Sequence, residues 1–107
     1  LDNFKDKELI QQVWDKGLIL PGYDKDAYRA DHCGAIIQRD MYNDTSGPLS
    51  MGWEIDRIKP LSYGGTSDLS NLQPLQWENN RKKNEDYPSW SCRVKASDQK
   101  NIYINKS

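Results

Sequence analysis

The chain has 107 residues, a formal net charge of −1, one histidine and two cysteines, enough for a single domain with one modest core. Its mean hydropathy of −0.96 is polar for a globular domain, but four Trp and six Tyr argue against disorder and predict a small aromatic core. No apolar run reaches the ~18 residues of a membrane span and no signal-peptide pattern is present, so no membrane partner is expected.

The charge is unevenly spread. Residues 79–107 hold seven basic and three acidic side chains, a balance of +4, which leaves −5 on residues 1–78. A basic back half fits a local phosphate-binding face, although a solvated charged surface is the commoner cause of such asymmetry. Cys33 and Cys92 have no CxxC partner, so neither a zinc ribbon nor a disulfide framework is indicated. They read either as a pair, if close in space, or as two buried free thiols. The chain begins Leu1-Asp2-Asn3 without Met, as expected of a domain excised from a longer protein.

Asn3 is placed to cap a helix over residues 4–16, with Asp6 as the capping-box partner and Gly17 as the stop. Leu9, Ile10, Val13 and Trp14 form one apolar stripe on it, read as core packing. Leu18-Ile19-Leu20, before Pro21-Gly22, reads as a short buried extended piece ending in a turn. Residues 23–30 are polar with two tyrosines and suit a helical turn. Residues 34–38 look like a strand, Arg39-Asp40-Met41-Tyr42 continues it or begins a turn, and residues 43–50 are a loop by composition.

Residues 52–83 organise the rest. Trp53 and Ile55 alternate with Glu54 and Asp56, so a strand here separates two apolar side chains from two acids. Asp56 stands at its exit. Residues 62–70 carry Gly64-Gly65, which permit positive φ, and Asp68 and Ser70, which favour local side-chain to backbone bonds. An ordered loop follows. Leu72, Pro74 and Leu75 give a second extended piece, with Pro74 barred from a central ladder position and Gln73 pushed toward extended geometry. From Trp77 no Gly or Pro interrupts a helix until Tyr87-Pro88 ends it, and Trp77, Arg81 and Asn84 fall at helical spacing. Strand, loop, strand and helix would bring Asp56 and Asn80 together. An Asp and an Asn offer only oxygen ligands, which suits Mg²⁺, and the adjoining Arg81, Lys82 and Lys83 would suit phosphates. The plain alternative is a polar helix beside a turn.

After the helix, Trp90, Cys92, Val94 and Ala96 alternate with polar residues, residues 97–101 turn, and Ile102, Tyr103 and Ile104 return. This is a candidate β-hairpin, either an ordinary edge with solubilising lysines or a basic face for a phosphate backbone.

The segment resembles the HNH endonuclease family, the ββα-metal fold, through Glu54-Ile55-Asp56, Ile58-Lys59-Pro60, Gly64-Gly65, Asp68-Leu69-Ser70-Asn71-Leu72-Gln73 and Asn80-Arg81-Lys82-Lys83. The match covers about a third of the chain. It implies an α+β domain built around the ββα motif at about residues 52–86, with an N-terminal helix and a C-terminal hairpin. It further implies an endonuclease of low sequence specificity that hydrolyses phosphodiester bonds in DNA. On that resemblance Asp56 and Asn80 would hold one divalent ion, Mg²⁺ first, with Mn²⁺, Ni²⁺ or Zn²⁺ as alternatives. Asn71 would brace the catalytic loop, and Lys59, Arg81, Lys82 and Lys83 would hold the DNA backbone. It is compatible with bacterial or phage cytoplasmic action, or with a secreted toxin domain that has a cognate inhibitor or immunity protein.

Arg57 departs from the pattern, because the family places its general-base histidine there. A guanidinium has a pKa above ~12 and cannot take a proton from water. General-base catalysis is typically worth ~10²–10⁴ in rate, so strongly impaired cleavage is expected, with Arg57 left to bind the scissile phosphate. A catalytically inactive, nucleic-acid-binding module on the same fold is the alternative, and a protein-interaction domain is a third. His32, well upstream of Asp56, is read as structural or exposed rather than as a substitute base.

Overall fold

The computed structural model describes residues 4–105. They form a small α+β domain with two helices and three small antiparallel sheets. No helix among them is long and apolar enough to cross a membrane.

Helix α1 spans Lys7–Trp14, three residues later than the sequence suggests, because Asp6 is itself the cap: its Oδ1 accepts from the Glu8 and Leu9 amides at 2.9 and 3.3 Å. That satisfies two of the four amides a helix start leaves open. The expected cap, Asn3, lies outside the described residues. Beyond the other end, buried Arg29 donates Nη1 to the carbonyls of Asp15 and Gly17 at 2.9 and 3.1 Å, supplying donors to carbonyls that the end of the helix leaves open.

Strands β1 (Leu18–Ile19), β2 (Tyr28–Ala30) and β3 (Ile36–Gln38) pair antiparallel in that order. Leu18 and Ile19 are extended as expected but exposed rather than buried, at 57% and 61%, so neither face of the two-residue strand β1 is covered. The tyrosine segment does hold one helical turn, the Ala27 and Tyr28 amides closing on the Asp24 carbonyl at 3.0 and 2.8 Å, and then runs on as strand β2, whose backbone finds partners on both sides.

Strand β4 (Trp53–Arg57) pairs antiparallel with β5 (Leu72–Gln76), placing Trp53 opposite Gln76, Asp56 opposite Gln73 and Arg57 opposite Leu72. Pro74 is tolerated because a sheet of two strands has no central position. Alternation works as read: Trp53 and Ile55 enter a core with Ile10, Val13 and Trp14 of α1, Ile37 and Leu72, in which the Trp53 ring lies 5.3 Å from that of Trp14 and 4.9 Å from that of Tyr42. The opposite face of β4 carries Glu54 and Asp56 toward α2 (Trp77–Lys83).

Helix α2 starts where the Gln76 side chain accepts from the Glu78 and Asn79 amides. It ends four residues before Pro88, not at it: Asn84 turns to φ 51° and its amide closes on the Asn80 carbonyl. Strands β6 (Val94–Ser97) and β7 (Lys100–Tyr103) form the expected hairpin. Buried Asn101 pins it to β3, accepting from the Ile36 amide at 2.8 Å and donating to the Ile36 carbonyl at 3.0 Å. Cys33 and Cys92 are disulfide-bonded, which removes the free-thiol alternative.

Candidate functional site

The loop between β4 and β5 is built around Asn71. Its Nδ2 donates to the Lys59 and Thr66 carbonyls at 2.9 and 2.7 Å, and its Oδ1 accepts from the Lys59 amide at 2.9 Å. Both ends of the loop are thereby tied to one side chain. Gly64 takes φ 86°, and a Cβ at Gly65 would stand 1.7 Å from the Lys59 carbonyl oxygen, so only glycine allows that close return of the chain. Lys16 of the segment after α1 reaches across, donating Nζ to the Leu69 carbonyl at 2.8 Å and to the Leu72 carbonyl. Burial lowers its pKa.

Asp56 is 7% exposed. Its Oδ2 accepts from Gln73 Nε2 at 2.9 Å, the cross-strand neighbour fixed by the register, and its Oδ1 lies 3.3 Å from Lys83 Nζ. Burial pushes the Asp56 carboxyl above the ordinary carboxylate range, while the Gln73 hydrogen bond and the Lys83 charge pull against that rise. Lys83 also donates to the Arg57 carbonyl at 2.9 Å. At 1% exposure its ammonium is internal, so the expectation that Lys83 holds a DNA backbone is corrected: a phosphate cannot reach it.

Asn80 faces the same strand but meets Glu54, donating Nδ2 to Oε1 at 2.9 Å. Arg81 shares that oxygen at 2.5 Å, half-exposed, with its guanidinium 6.0 Å from the Trp77 ring centroid. Asp56 and Asn80 thus line one β4–α2 contact, but each has a different partner. Glu54 and Gln73, which sequence reasoning did not assign to the site, are those partners. The signals were present: Glu54 shares the Asp56 face by strand alternation, and Gln73 follows once the register is known.

Arg57 lies on the other side of the strand. Its guanidinium donates Nε and Nη2 to Ser67 Oγ at 3.2 and 2.9 Å and rests 5.2 Å from the Phe4 ring centroid. Lys59 and Lys82 are exposed. His32 is exposed too, its ring 6.2 Å from that of Trp90. It lines a cavity of about 240 Å³ with Lys16, Leu18, Ile58 and Gln73, and Asp56 is not part of that lining.

The residues of the β4–α2 contact do not fit a divalent ion as they stand. Both Asp56 oxygens are engaged, one by an ammonium. Glu54 is likewise met by Arg81 and Asn80. Among the described residues no three His, Cys, Asp or Glu side chains cluster in a way that could hold a metal. What the arrangement offers chemically is a self-neutralised acid pair beneath a rigid loop, with exposed cations at its edge.

No protein-family model, curated protein or solved structure matches the chain.

Proposed function

We propose that this chain is a DNA-backbone-binding domain on the HNH-endonuclease plan, with phosphodiester hydrolysis disabled at the base position. The observation that carries the reading is the bond from the Lys83 ammonium to the Arg57 carbonyl. It seats the basic last turn of α2 against the start of the loop that bears Lys59, so cations from two rigid elements lie on adjoining segments. Contacts of this kind position a duplex without reading its sequence.

On that plan the position of the general base is filled by a residue that cannot accept a proton. Arg57 remains a cation at any working pH, and its side chain is committed to Ser67 and Phe4, away from Asp56. A second reading, the metal-dependent endonuclease, draws on the oxygen donors of Asp56 and Asn80 facing one contact and on the loop brace at Asn71. It requires Lys83 to leave its carboxylate.

Charge sets the expected strength. Lys83 is internal, Arg81 is shared with Glu54 and Arg57 is engaged by Ser67, which leaves Lys59 and Lys82 as the most accessible phosphate partners. Two phosphate contacts give a slope of log affinity against log salt of about −2. Anisotropy of a labelled duplex across a salt series should show weak, sequence-indifferent binding with that slope, reduced toward zero in Lys59→Glu/Lys82→Glu. Plasmid nicking should be absent with Mg²⁺, Mn²⁺ or chelator. Metal-dependent nicking by the unaltered chain would replace this reading with the endonuclease, and salt-independent or absent binding would end it.

A further inference from the structure

Lys83 is a lysine where a lysine is costly. Its side chain is 2% exposed and that of Asp56 is 7% exposed, with 3.3 Å between Nζ and Oδ1. Burying a charged pair is tolerated only where the partners and their remaining hydrogen-bonding groups are matched, and here they are: the ammonium meets Asp56 and the Arg57 carbonyl, while the second Asp56 oxygen takes Gln73. Among the described residues no buried side-chain nitrogen or oxygen is without a partner.

The position of the ammonium is dictated by the helix. Asn80 and Lys83 are three residues apart and share one face of α2, so the turn that brings Asn80 onto Glu54 also drives Lys83 onto Asp56. The positive charge lies 3.3 Å from Asp56 Oδ1, beside the carboxylate that a divalent ion at this contact would need. Such an ion would have to sit beside a like charge or expel the four-carbon stem that carries it. Mg²⁺ is the least suited to this, because it demands near-octahedral oxygen geometry and keeps several waters.

We propose that Lys83 is the resident cation of this site: its ammonium ties β4 to α2 through Asp56 and closes the position to divalent metal ions. The domain then meets phosphate without a metal. That last consequence rests on the DNA-binding reading; the closure itself does not.

The test uses the full chain without nucleic acid. Mn²⁺ is titrated while its free fraction is followed by electron paramagnetic resonance and the backbone amide signals by NMR. Thermal unfolding is compared in Mg²⁺ and in chelator. Mn²⁺ should stay free, the Asp56 and Asn80 signals should not broaden, and Tm should not move. Lys83→Met should bind Mn²⁺ at least tenfold more tightly, and adding Asp56→Asn should abolish the gain. One equivalent of Mn²⁺ on the unaltered chain, with broadening at Asp56 and Asn80, overturns the proposal. So does a folded Lys83→Met that binds no more tightly. Should Lys83→Met fail to fold, the unaltered chain's spectra decide alone. Anisotropy in chelator reports separately on DNA: if Mn²⁺ is excluded and DNA is also not bound, the DNA reading fails and the Lys83 assignment stands.

Discussion

Asp31→Asn is the substitution whose cost follows most directly from the structure. Asp31 is 1% exposed and accepts four hydrogen bonds. Oδ1 takes the Cys33 and Ala35 amides, both at 2.9 Å, and Oδ2 takes the Gln76 amide at 2.9 Å and Asn79 Nδ2 at 3.0 Å. Asn79 continues the chain of bonds, its Oδ1 accepting from the Arg93 and Val94 amides at 2.8 Å. One carboxylate thus joins the β2–β3 turn, the start of α2 and the entry to β6. Asparagine keeps one acceptor oxygen but turns an NH₂ toward two donors, so two bonds are lost with their donors still buried. At about 1–3 kcal/mol for each unsatisfied group the gross loss is about 2–6 kcal/mol. Burial raises the Asp31 pKa while the four hydrogen bonds oppose the rise, so removing the charge returns part of that loss. A net cost of about 2–4 kcal/mol is expected, a large share of the ~5–15 kcal/mol that holds a small domain together. Urea denaturation should show a lower midpoint at unchanged m. An Asp31→Asn protein within about 0.5 kcal/mol of the parent would refute the reasoning, because it would mean that the network is worth no more than the charge it buries.

Three further outcomes are expected. Cys33→Ser opens a link between residues 59 apart, which the chain-entropy model puts at about 4 kcal/mol; reductant should lower the parent's Tm to that of the variant and leave the variant unmoved. Gly65→Ala would set a Cβ 1.7 Å from the Lys59 carbonyl oxygen, so the loop must shift. Faster hydrogen exchange over residues 58–71 should report it, together with weaker DNA binding through Lys59. Tyr103 donates to Glu78 Oε2 at 2.6 Å, and that carboxylate raises the phenol above its ordinary value of 10.0. A raised folded pKa means that the contribution is complete below the ordinary value and is lost as pH rises through the folded one. NMR titration of the Tyr103 ring should therefore show late ionisation, and Glu78→Gln should bring it back toward 10.0.

What the sequence made legible was local. The β4 alternation, the positive-φ glycine and the hairpin are set by neighbours a few residues apart, and each formed where expected. Helix ends were less legible, because they depend on which side chain reaches the open amides first: Asp6 intercepts α1, and Asn84 stops α2 although nothing in its composition forbids continuation. Burial of Leu18 and Ile19 failed for a reason outside the segment, since whether a strand's side chains are buried is decided by what packs on the faces of its sheet. The Asp31–Asn79 network joins residues 48 apart in sequence, and no periodicity could have announced it. The candidate site was legible only in part, since Glu54 and Gln73, the partners of Asn80 and Asp56, were missed. Asp56, Asn80 and Asn71 all sit at the β4–loop–α2 junction, but whether Asp56 meets an amide, a cation or an ion depends on where a long lysine stem comes to rest.

Asn80-Arg81-Lys82-Lys83 reads as one ligand followed by three basic contacts, yet at 3.6 residues per turn the run divides into two faces. Asn80 and Lys83 turn inward together; Arg81 lies at the rim against Glu54 and Lys82 faces solvent. A helical α2 with Asn80 on Glu54 points the Lys83 stem at the same strand, and in this structure its ammonium reaches Asp56. Arg57 adds a second obstacle, because strand alternation turns position 57 to the side of Phe4 rather than to that of Asp56. A histidine placed there would face the wrong way as well as the wrong cation. Arg57→His alone is therefore expected to leave plasmid DNA intact, and nicking by that single variant would show that β4 and α2 rearrange around the carboxylate when a substrate is bound.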